Sequence, residues 1–380
     1  MYVRRIQLAG FRCHEHLDLE LGPRLTVVTG GNACGKTSLL EALGWLATQR
    51  SFRGAPDAAL VRRGEEQAIV RAEIESDTAT HPTLIEAEIH AAGRNRVLVN
   101  RKPLRRAAEL GLSLRTSVFL PDDLALIKEG PAARRDYIDD LLAALVPRYD
   151  SVRRDYERIV LQRNRLLRSG VRSATDVATL DVWDAKLAGT GATLAAGRLR
   201  TVEQLAVPLR TAYERVAGSS TDVVGEYKGT WFDGLGVAPG EASPAEIENV
   251  LDEALGRSRK IDMDRSTSTV GPHRDDLHLT INGLDARFRA SQGEQRCFAL
   301  ALRLAGHELI AQATGLAPVV LLDDIFSELD PKRAEALITH LPEAQTIVTT
   351  AGVLPSGLTD AQQIVMSRLP SRAILGEGAQ

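Results

Sequence analysis

Eight consecutive residues, Gly30-Gly31-Asn32-Ala33-Cys34-Gly35-Lys36-Thr37, fit the pattern G-x-x-x-x-G-K-[ST]. They follow the apolar run Leu25 to Thr29 and precede Leu39, Leu40, Leu43 and Leu46, the strand–loop–helix setting that phosphate binding requires. Gly30 and Gly35 let the loop wrap tightly, so that backbone N–H groups and a helix start face phosphate. Lys36 is placed to reach β- and γ-phosphates, and the Thr37 hydroxyl to ligate Mg²⁺. Far along the chain, Val319-Val320-Leu321-Leu322 delivers Asp323-Asp324 at the end of an apolar run. Asp323 suits Mg²⁺, reached through water, and Asp324 suits an attacking water that must be oriented or deprotonated. Between them in sequence, Ser291-Gln292-Gly293-Glu294-Gln295 opens a helix whose N–H groups and hydroxyl can meet an anion. By itself that segment is equally an ordinary N-cap; its position ahead of the two carboxylates gives it weight.

The elements needed to position these groups are legible around them. Val3, Ile6 and Leu8, then Leu17, Leu19 and Leu21, predict two strands, Leu25 to Thr29 a third, and residues 36–47 a helix. Residues 68–102 alternate like strands and end in a hairpin at 97–102. From Pro131 to about Val216 the period turns helical. One helix begins at Pro131, a second at Pro147 and ends at Gly170, and a third runs from about Leu180 to Tyr213. Residues 218–244, rich in Gly, Ser and Pro, read as a connection, followed by an acidic helix over 246–255. Strand character returns after Gly271, with Asn282-Gly283 as a hairpin turn, a helix over 293–313, a strand over 318–322, a helix near Pro331 and a strand over 346–349.

At 380 residues, 44% hydrophobic and 26% charged, the chain has the composition of a folded protein of two domains or one elaborated domain. Disordered, collagenous and disulfide-stapled classes are excluded. Three scattered cysteines, no apolar run long enough to span a bilayer and no secretory N-terminus predict a cytoplasmic protein without membrane contact. The net charge of −3 announces no nucleic-acid binder, yet only seven of the 47 cations are Lys. Coding bias explains that excess, and so does a preference for bidentate phosphate contacts.

Three further stretches accompany the motifs: Leu8-Ala9-Gly10-Phe11-Arg12; Phe119-Leu120-Pro121-Asp122-Asp123-Leu124 through Arg134-Arg135; and Gly271-Pro272-His273-Arg274-Asp275-Asp276-Leu277. With Ser327-Glu328-Leu329-Asp330 as a D-loop and Ser291 to Gln295 as an ABC-type signature, the chain resembles the RecF family of SMC-like ABC-type ATPases from Val3 to about Thr350. The resemblance implies an α/β fold, an ABC/SMC-type P-loop ATPase head with an inserted, mainly helical second domain. The head would comprise residues 1–120 and 265–380, and the insert 121–264. It implies ATP and Mg²⁺ as cofactors, bound by residues 30–37. Ser291 and Gly293 would contact the γ-phosphate held by a second copy, giving an ATP-dependent homodimer. It further implies slow hydrolysis, binding of double-stranded DNA at gaps, and recombination mediator proteins as partners in loading recombinase. A nucleotide-gated scaffold, in which binding and not turnover matters, is the competing reading. Arg12 would meet adenine or phosphate, or serve structurally at a strand end; His273 and Arg274 read as structural or interface residues.

The chain departs from the wider ABC pattern at several points. Ala33 replaces a common glycine, which is tolerable at negative φ. Asp324 stands where transporters have Glu, no switch His occupies 346–351 although Thr349 or Thr350 could substitute, and no Q-loop glutamine is evident near Pro121. Two basic clusters are candidates for DNA. One is Arg94, Arg96, Arg101, Lys102, Arg105 and Arg106 on the hairpin and its exit. The other lies within 148–168, where Arg154, Arg158 and Arg165 share a helix face. A solvated, salt-bridged face is the alternative for either.

Overall fold

Two periodicities build the molecule: alternation in the outer strands and continuous apolar runs in the inner ones. The computed structural model describes residues 1–76, 81–104, 110–111, 113–235, 238, 240–327, 329–352, 358 and 361–367. The strands and helices of the first part are β1 (Tyr2–Phe11), β2 (His14–Glu20), β3 (Leu25–Gly30), α1 (Lys36–Thr48), β4 (Gln67–Glu75), β5 (Thr83–His90), β6 (Arg96–Val99), β7 (Lys102–Pro103) and β8 (Thr116–Phe119). The middle holds α2 (Ala125–Lys128), α3 (Pro131–Leu145), α4 (Arg148–Ser169), α5 (Ala174–Ala217), β9 (Val223–Lys228), α6 (Pro244–Arg265), β10 (Asp276–Ile281), β11 (Leu284–Asp285), α7 (Ala286–Arg289) and α8 (Gln292–Thr314). The chain ends with β12 (Val319–Asp323), α9 (Pro331–Thr339), β13 (Thr346–Thr350) and β14 (Gln362–Met366).

One compact unit joins residues 1–121 to 318–380. It contains an antiparallel sheet in the order β2-β1-β4-β5-β6-β7 and a parallel sheet in the order β14-β3-β13-β12-β8. In β4 the buried Ala68, Val70, Ala72 and Ile74 alternate with exposed or half-buried positions, as a strand with one covered face must. All five residues of β12 and of β13 are buried, as parallel strands covered on both sides are. Helix α1 contributes Leu39, Leu40, Leu43, Trp45 and Leu46 to one apolar core with Val3, Ile6, Val70 and Ile85 of the antiparallel sheet and Val319, Leu321 and Ile347 of the parallel one. The P-loop helix is thus held between the two sheets. Burying side chains of this size contributes about 1.5–3 kcal/mol each.

The other unit runs from Asp122 to Ala317. It includes residues 265–317, which the sequence grouped with the C-terminal part of the head. Packing explains this: Tyr213 of α5 meets Phe298 of α8 edge-on at 5.8 Å, and the Tyr137 hydroxyl of α3 donates to Leu302 O at 2.6 Å. Two strands were not expected. β9 lies in the segment read as a connection and pairs antiparallel with β10, while β14 lies in the last thirty residues and pairs with β3. Helix α5 also extends well beyond the expected 180–213, starting from a capping box in which Ser173 and Asp176 satisfy each other's backbone N–H. Among the described residues, no helix is long and apolar enough to cross a membrane.

Candidate nucleotide-binding site

Strand β3 ends where the phosphate loop begins. A Cβ at Gly30 would fall 2.3 Å from Met366 O, and one at Gly35, at φ +98°, would fall 2.4 Å from the His14 ring. Both glycines are therefore fixed by close approach. Ala33 lies at φ +63°, not in the negative region that would make the replacement of glycine easy. Its methyl is carried in the left-handed region at a cost of about 1 kcal/mol. Gly35 caps α1 without any side-chain hydrogen bond, which leaves the first main-chain N–H groups of the helix open to an anion. Lys36 folds back over the loop, and its Nζ donates to Gly30 O at 2.8 Å and Gly31 O at 2.9 Å.

The parallel register then assembles the carboxylate side of the site. Asp323 pairs with Thr349 across β12 and β13, and Thr349 with Val28 across β13 and β3. The Asp323 carboxylate accepts on Oδ1 from Thr37 Oγ1 at 2.8 Å and from Thr349 Oγ1 at 2.7 Å. Asp324 sits at φ +47°, with its N–H donating to Thr349 O at 3.0 Å and Thr349 Oγ1 at 3.2 Å. Its Oδ1 is buried and has no hydrogen-bond partner among the described residues. A buried acceptor without a donor costs free energy, so its retention calls for an explanation; a bound water or ion is one. A serine/threonine hydroxyl beside an aspartate, with a second carboxylate oxygen unsatisfied nearby, is a hard-oxygen donor set that suits Mg²⁺. Thr37, Asp323, Asp324, Thr349, Lys36, Asn32 and Ala33 line one cavity of about 650 Å³ together with Arg12, Cys13 and Arg63.

Arg12, at φ +52°, reaches this cavity while its guanidinium forks onto Glu41 of α1, Nε at 2.8 Å and Nη2 at 2.6 Å, and Nη1 donates to Ala59 O at 2.9 Å. Glu41 is fully buried and also accepts from Ser51 at 2.5 Å. The structural role expected for Arg12 is thus present, on the wall of the cavity that the nucleotide role requires. His14 and Cys13 carried no signal in the sequence, because nothing local announces that the β1–β2 turn packs on the phosphate loop. His14 Nε2 lies 3.1 Å from Gly35 O. Burial opposes charge on that ring, but the Cys13 thiol and the Gly35 carbonyl outweigh it, so its pKa lies above that of an ordinary histidine. Hydrogen bonding to His14, against the effect of burial, lowers the Cys13 thiol in turn.

The signature segment lies in the other unit. Ser291 caps α8 in a full capping box: its Oγ donates to Glu294 at 2.7 Å and accepts from the Glu294 N–H at 3.3 Å. Gly293 falls in the first turn of the same helix. Near Pro121, where no Q-loop glutamine was found, Asp123 is buried and accepts from Arg303 of α8 at 2.6 and 3.0 Å. His273 and Arg274 are structural. His273 lies 2.7 Å from the Tyr156 hydroxyl and 3.1 Å from Ser268 O, and burial lowers its pKa to about 4. Arg274 also donates to Ser268 O. Asp275 accepts from Tyr227 and Trp231, and burial lifts it to about 7.

Of the hairpin cations, Arg94, Arg96, Arg101 and Lys102 are exposed at the β6–β7 edge, and Arg96 is 3.8 Å from Glu88. Asn100 and Arg101, both at positive φ, form the turn itself. Arg105 and Arg106 lie outside the described residues. On α4, Arg154 and Arg158 are exposed and paired within the helix to Asp150 and Asp155 at 2.8 and 3.1 Å, the salt-bridged alternative for that face. Arg163 of the same cluster is fully buried between Asp184 and Asp262.

A parallel sheet whose C-terminal edge combines a phosphate loop with paired carboxylates, and a separate helical unit carrying a serine-led helix start, define an α/β ABC/SMC-type P-loop head. Residues 2–365 match the family model for the RecF/RecN/SMC N terminal domain. The chain is 42% identical over 376 residues to the DNA replication and repair protein RecF of Frankia alni, spanning 96% of this chain and 98% of that one. It is 41% identical over 366 residues to that of Kineococcus radiotolerans, spanning 93% of each. The solved structure of the recombination mediator protein RecF-ATPrS in the RecFOR pathway superposes with a TM-score of 0.86 at 30% identity, over 97% of this chain and 98% of that one. An Smc head bound to the C-winged helix domain of ScpA shares the fold at a TM-score of 0.52 and 16% identity, over 93% of this chain and 90% of that one. The chain belongs to the RecF family.

Proposed function

We propose that this chain is a cytoplasmic, ATP-dependent, DNA-binding protein of recombinational repair and replication that joins into a dimer on ATP and hydrolyses it slowly. The observation that carries the reading is the meeting of Thr37, Asp323 and Thr349 within hydrogen-bond distance beside the loop bearing Lys36. Curated relatives about 40% identical over most of the chain carry the RecF name, and one similar structure is described as RecF-ATP in the RecFOR pathway.

In this reading residues 30–35 wrap the phosphates with backbone N–H groups, and Lys36 exchanges the Gly30 and Gly31 carbonyls for β- and γ-phosphate oxygens. Thr37 would hold Mg²⁺ directly and Asp323 through water; when bound, Mg²⁺ neutralises charge on the phosphate oxygens. Asp324 Oδ1, buried and unpartnered, accepts a proton or hydrogen bond from the attacking water. Arg12, held by Glu41, flanks the nucleotide. Ser291 and Gly293 of a second copy complete the γ-phosphate contacts, so the head draws functionally on residues 1–120 and 265–380, with 121–264 as its helical insert. Loss of the γ-phosphate then loosens the pair. The dimer binds double-stranded DNA at gaps through the exposed cations of the β6–β7 edge and helps mediator proteins load recombinase. Asp324→Asn tests turnover: it should keep ATP binding, abolish hydrolysis and trap the dimer. If such a chain still supports repair like the wild type, nucleotide binding alone does the work and the protein is a nucleotide-gated scaffold.

A further inference from the structure

Directly ahead of the signature, the chain makes a costly exposure. Phe288 of α7 is 73% exposed and Leu284 of β11 is 58% exposed. The segment is nonetheless built firmly. Asp285 caps it by accepting from the Arg287 N–H at 2.8 Å and the Phe288 N–H at 3.3 Å. From below, the buried Gln295 of α8 donates to both Ala286 O and Arg287 O at 3.1 Å. Gln295 therefore fastens the segment bearing Phe288 to the very helix that Ser291 caps. The Arg287 guanidinium lies over the Phe288 ring, 5.1 Å from its centroid. Neither Arg287 nor Arg289 is engaged in an ion pair among the described residues. A rigid aromatic flanked by two unpaired guanidinium groups is the composition of an interface centre, not of a solvated turn.

We propose that Phe288, with Leu284, Arg287 and Arg289, docks on the nucleotide-bearing face of a second copy of this chain. The inference rests on the reading that Ser291 closes over the nucleotide of a second copy, and it adds an anchor outside the signature. Charge selects that occupant. In the nucleotide cavity Arg12 is neutralised by Glu41, and the other charged lining residues are two cations, Lys36 and Arg63, and two carboxylates, Asp323 and Asp324, so the cavity wall is close to electrically balanced. A magnesium-bound triphosphate makes it anionic, a diphosphate less so, and two arginines beside an aromatic anchor are drawn to it in that order. The dependence of docking on the γ-phosphate then has an electrostatic source besides the signature contacts.

The test is sedimentation equilibrium of the full chain with Mg²⁺ and ATP, ADP or no nucleotide, for wild type, Phe288→Ala, Arg287→Glu with Arg289→Glu, and Ser291→Arg, alongside monomer affinity for a fluorescent ATP analogue and affinity for duplex DNA. Phe288 is exposed, so its truncation leaves the fold intact. The expected result is ATP-dependent self-association weakened about tenfold or more by Phe288→Ala and by the charge reversal, with monomer nucleotide affinity unchanged. If Phe288→Ala associates like wild type while Ser291→Arg does not associate, the anchor is refuted and the composite site stands. If wild type itself stays monomeric with ATP, the composite-site reading falls and takes the anchor with it. If the variants lose duplex affinity but keep self-association, the patch serves DNA and the proposal is overturned.

Discussion

Thr349→Val removes one hydroxyl with almost no change of shape, and its consequence can be worked from the site. Three contacts disappear: the 2.7 Å donation to Asp323 Oδ1, the 3.2 Å acceptance from the Asp324 N–H and a long 3.4 Å contact with Leu322 O. The first is a bond to a buried carboxylate; removing such a bond costs about 1.5–3 kcal/mol. The second costs less, because the Asp324 N–H keeps Thr349 O at 3.0 Å. Thr37 still donates to the same oxygen of Asp323, so the carboxylate is loosened and not freed. We expect a loss of about 2 kcal/mol in whatever depends on the position of Asp323, which is about a 30-fold fall in ATP hydrolysis. ATP affinity, held mostly by the loop and Lys36, should change by less than about threefold. Thr349→Ser, which restores the hydroxyl, should recover most of the rate. Steady-state ATPase with a parallel nucleotide titration reads both quantities. A Thr349→Val chain with wild-type turnover would refute the idea that the β13 hydroxyl positions Asp323 for hydrolysis.

Three further outcomes are expected. Ala33→Gly relieves a left-handed alanine and should raise resistance to urea by about 1 kcal/mol; a less stable variant would mean that the φ of +63° costs nothing there. Asp275 is lifted to about 7, so the folded chain keeps a proton that the unfolded chain releases near pH 4, and this contribution to stability drains away as pH rises from 4 to 7. Relative to wild type, Asp275→Asn should thus gain up to a few kcal/mol between pH 4 and 8, since each tenfold difference in proton affinity is worth about 1.4 kcal/mol. His273 and His307, both lowered to about 4 by burial, carry the opposite slope below pH 6.5 but are common to both chains, so a flat difference curve would contradict the assignment. Reversing Arg101 and Lys102 to Glu should weaken duplex binding and reduce its salt slope by about two counterions; an unchanged slope would remove the β6–β7 edge from the DNA-binding surface.

The phosphate loop, the carboxylate strand and the signature helix were legible because each is a local pattern: a loop between an apolar strand and an apolar helix face, or an apolar run ending in acids. What escaped was set by pairing and approach over long distance. β14 reads as an ordinary QQIVM, and becomes a strand by adding to the open edge of β3, where Met366 O closes against Gly30. β9 contains a glycine and lies in a polar stretch; its register with β10 makes it a strand. Helix α8 is evident from its own apolar period, but its packing with α5 is a tertiary fact that no spacing within 265–317 announces. The same holds in the site. Thr349 stood out only as a weak substitute for a missing histidine, and the parallel register of β12 and β13 brings it to Asp323. In the α4 cluster, charge counts along a helix cannot separate Arg163, buried between two aspartates, from the exposed Arg154 and Arg158.

The central claim is that the nucleotide site is completed by a second copy, and mixing two inactive chains tests it most directly. Lys36→Ala lacks the phosphate-loop lysine and keeps the signature; Ser291→Arg keeps the loop and lacks the signature. Each alone should be inactive. Neither variant should pair with itself on ATP, whereas a mixed pair contains one intact site of two, so in an equimolar mixture ATP hydrolysis should return, up to about half of the wild-type rate per chain. If the mixture stays as inactive as its components while wild type turns over, the two motifs act within one chain and the account is wrong.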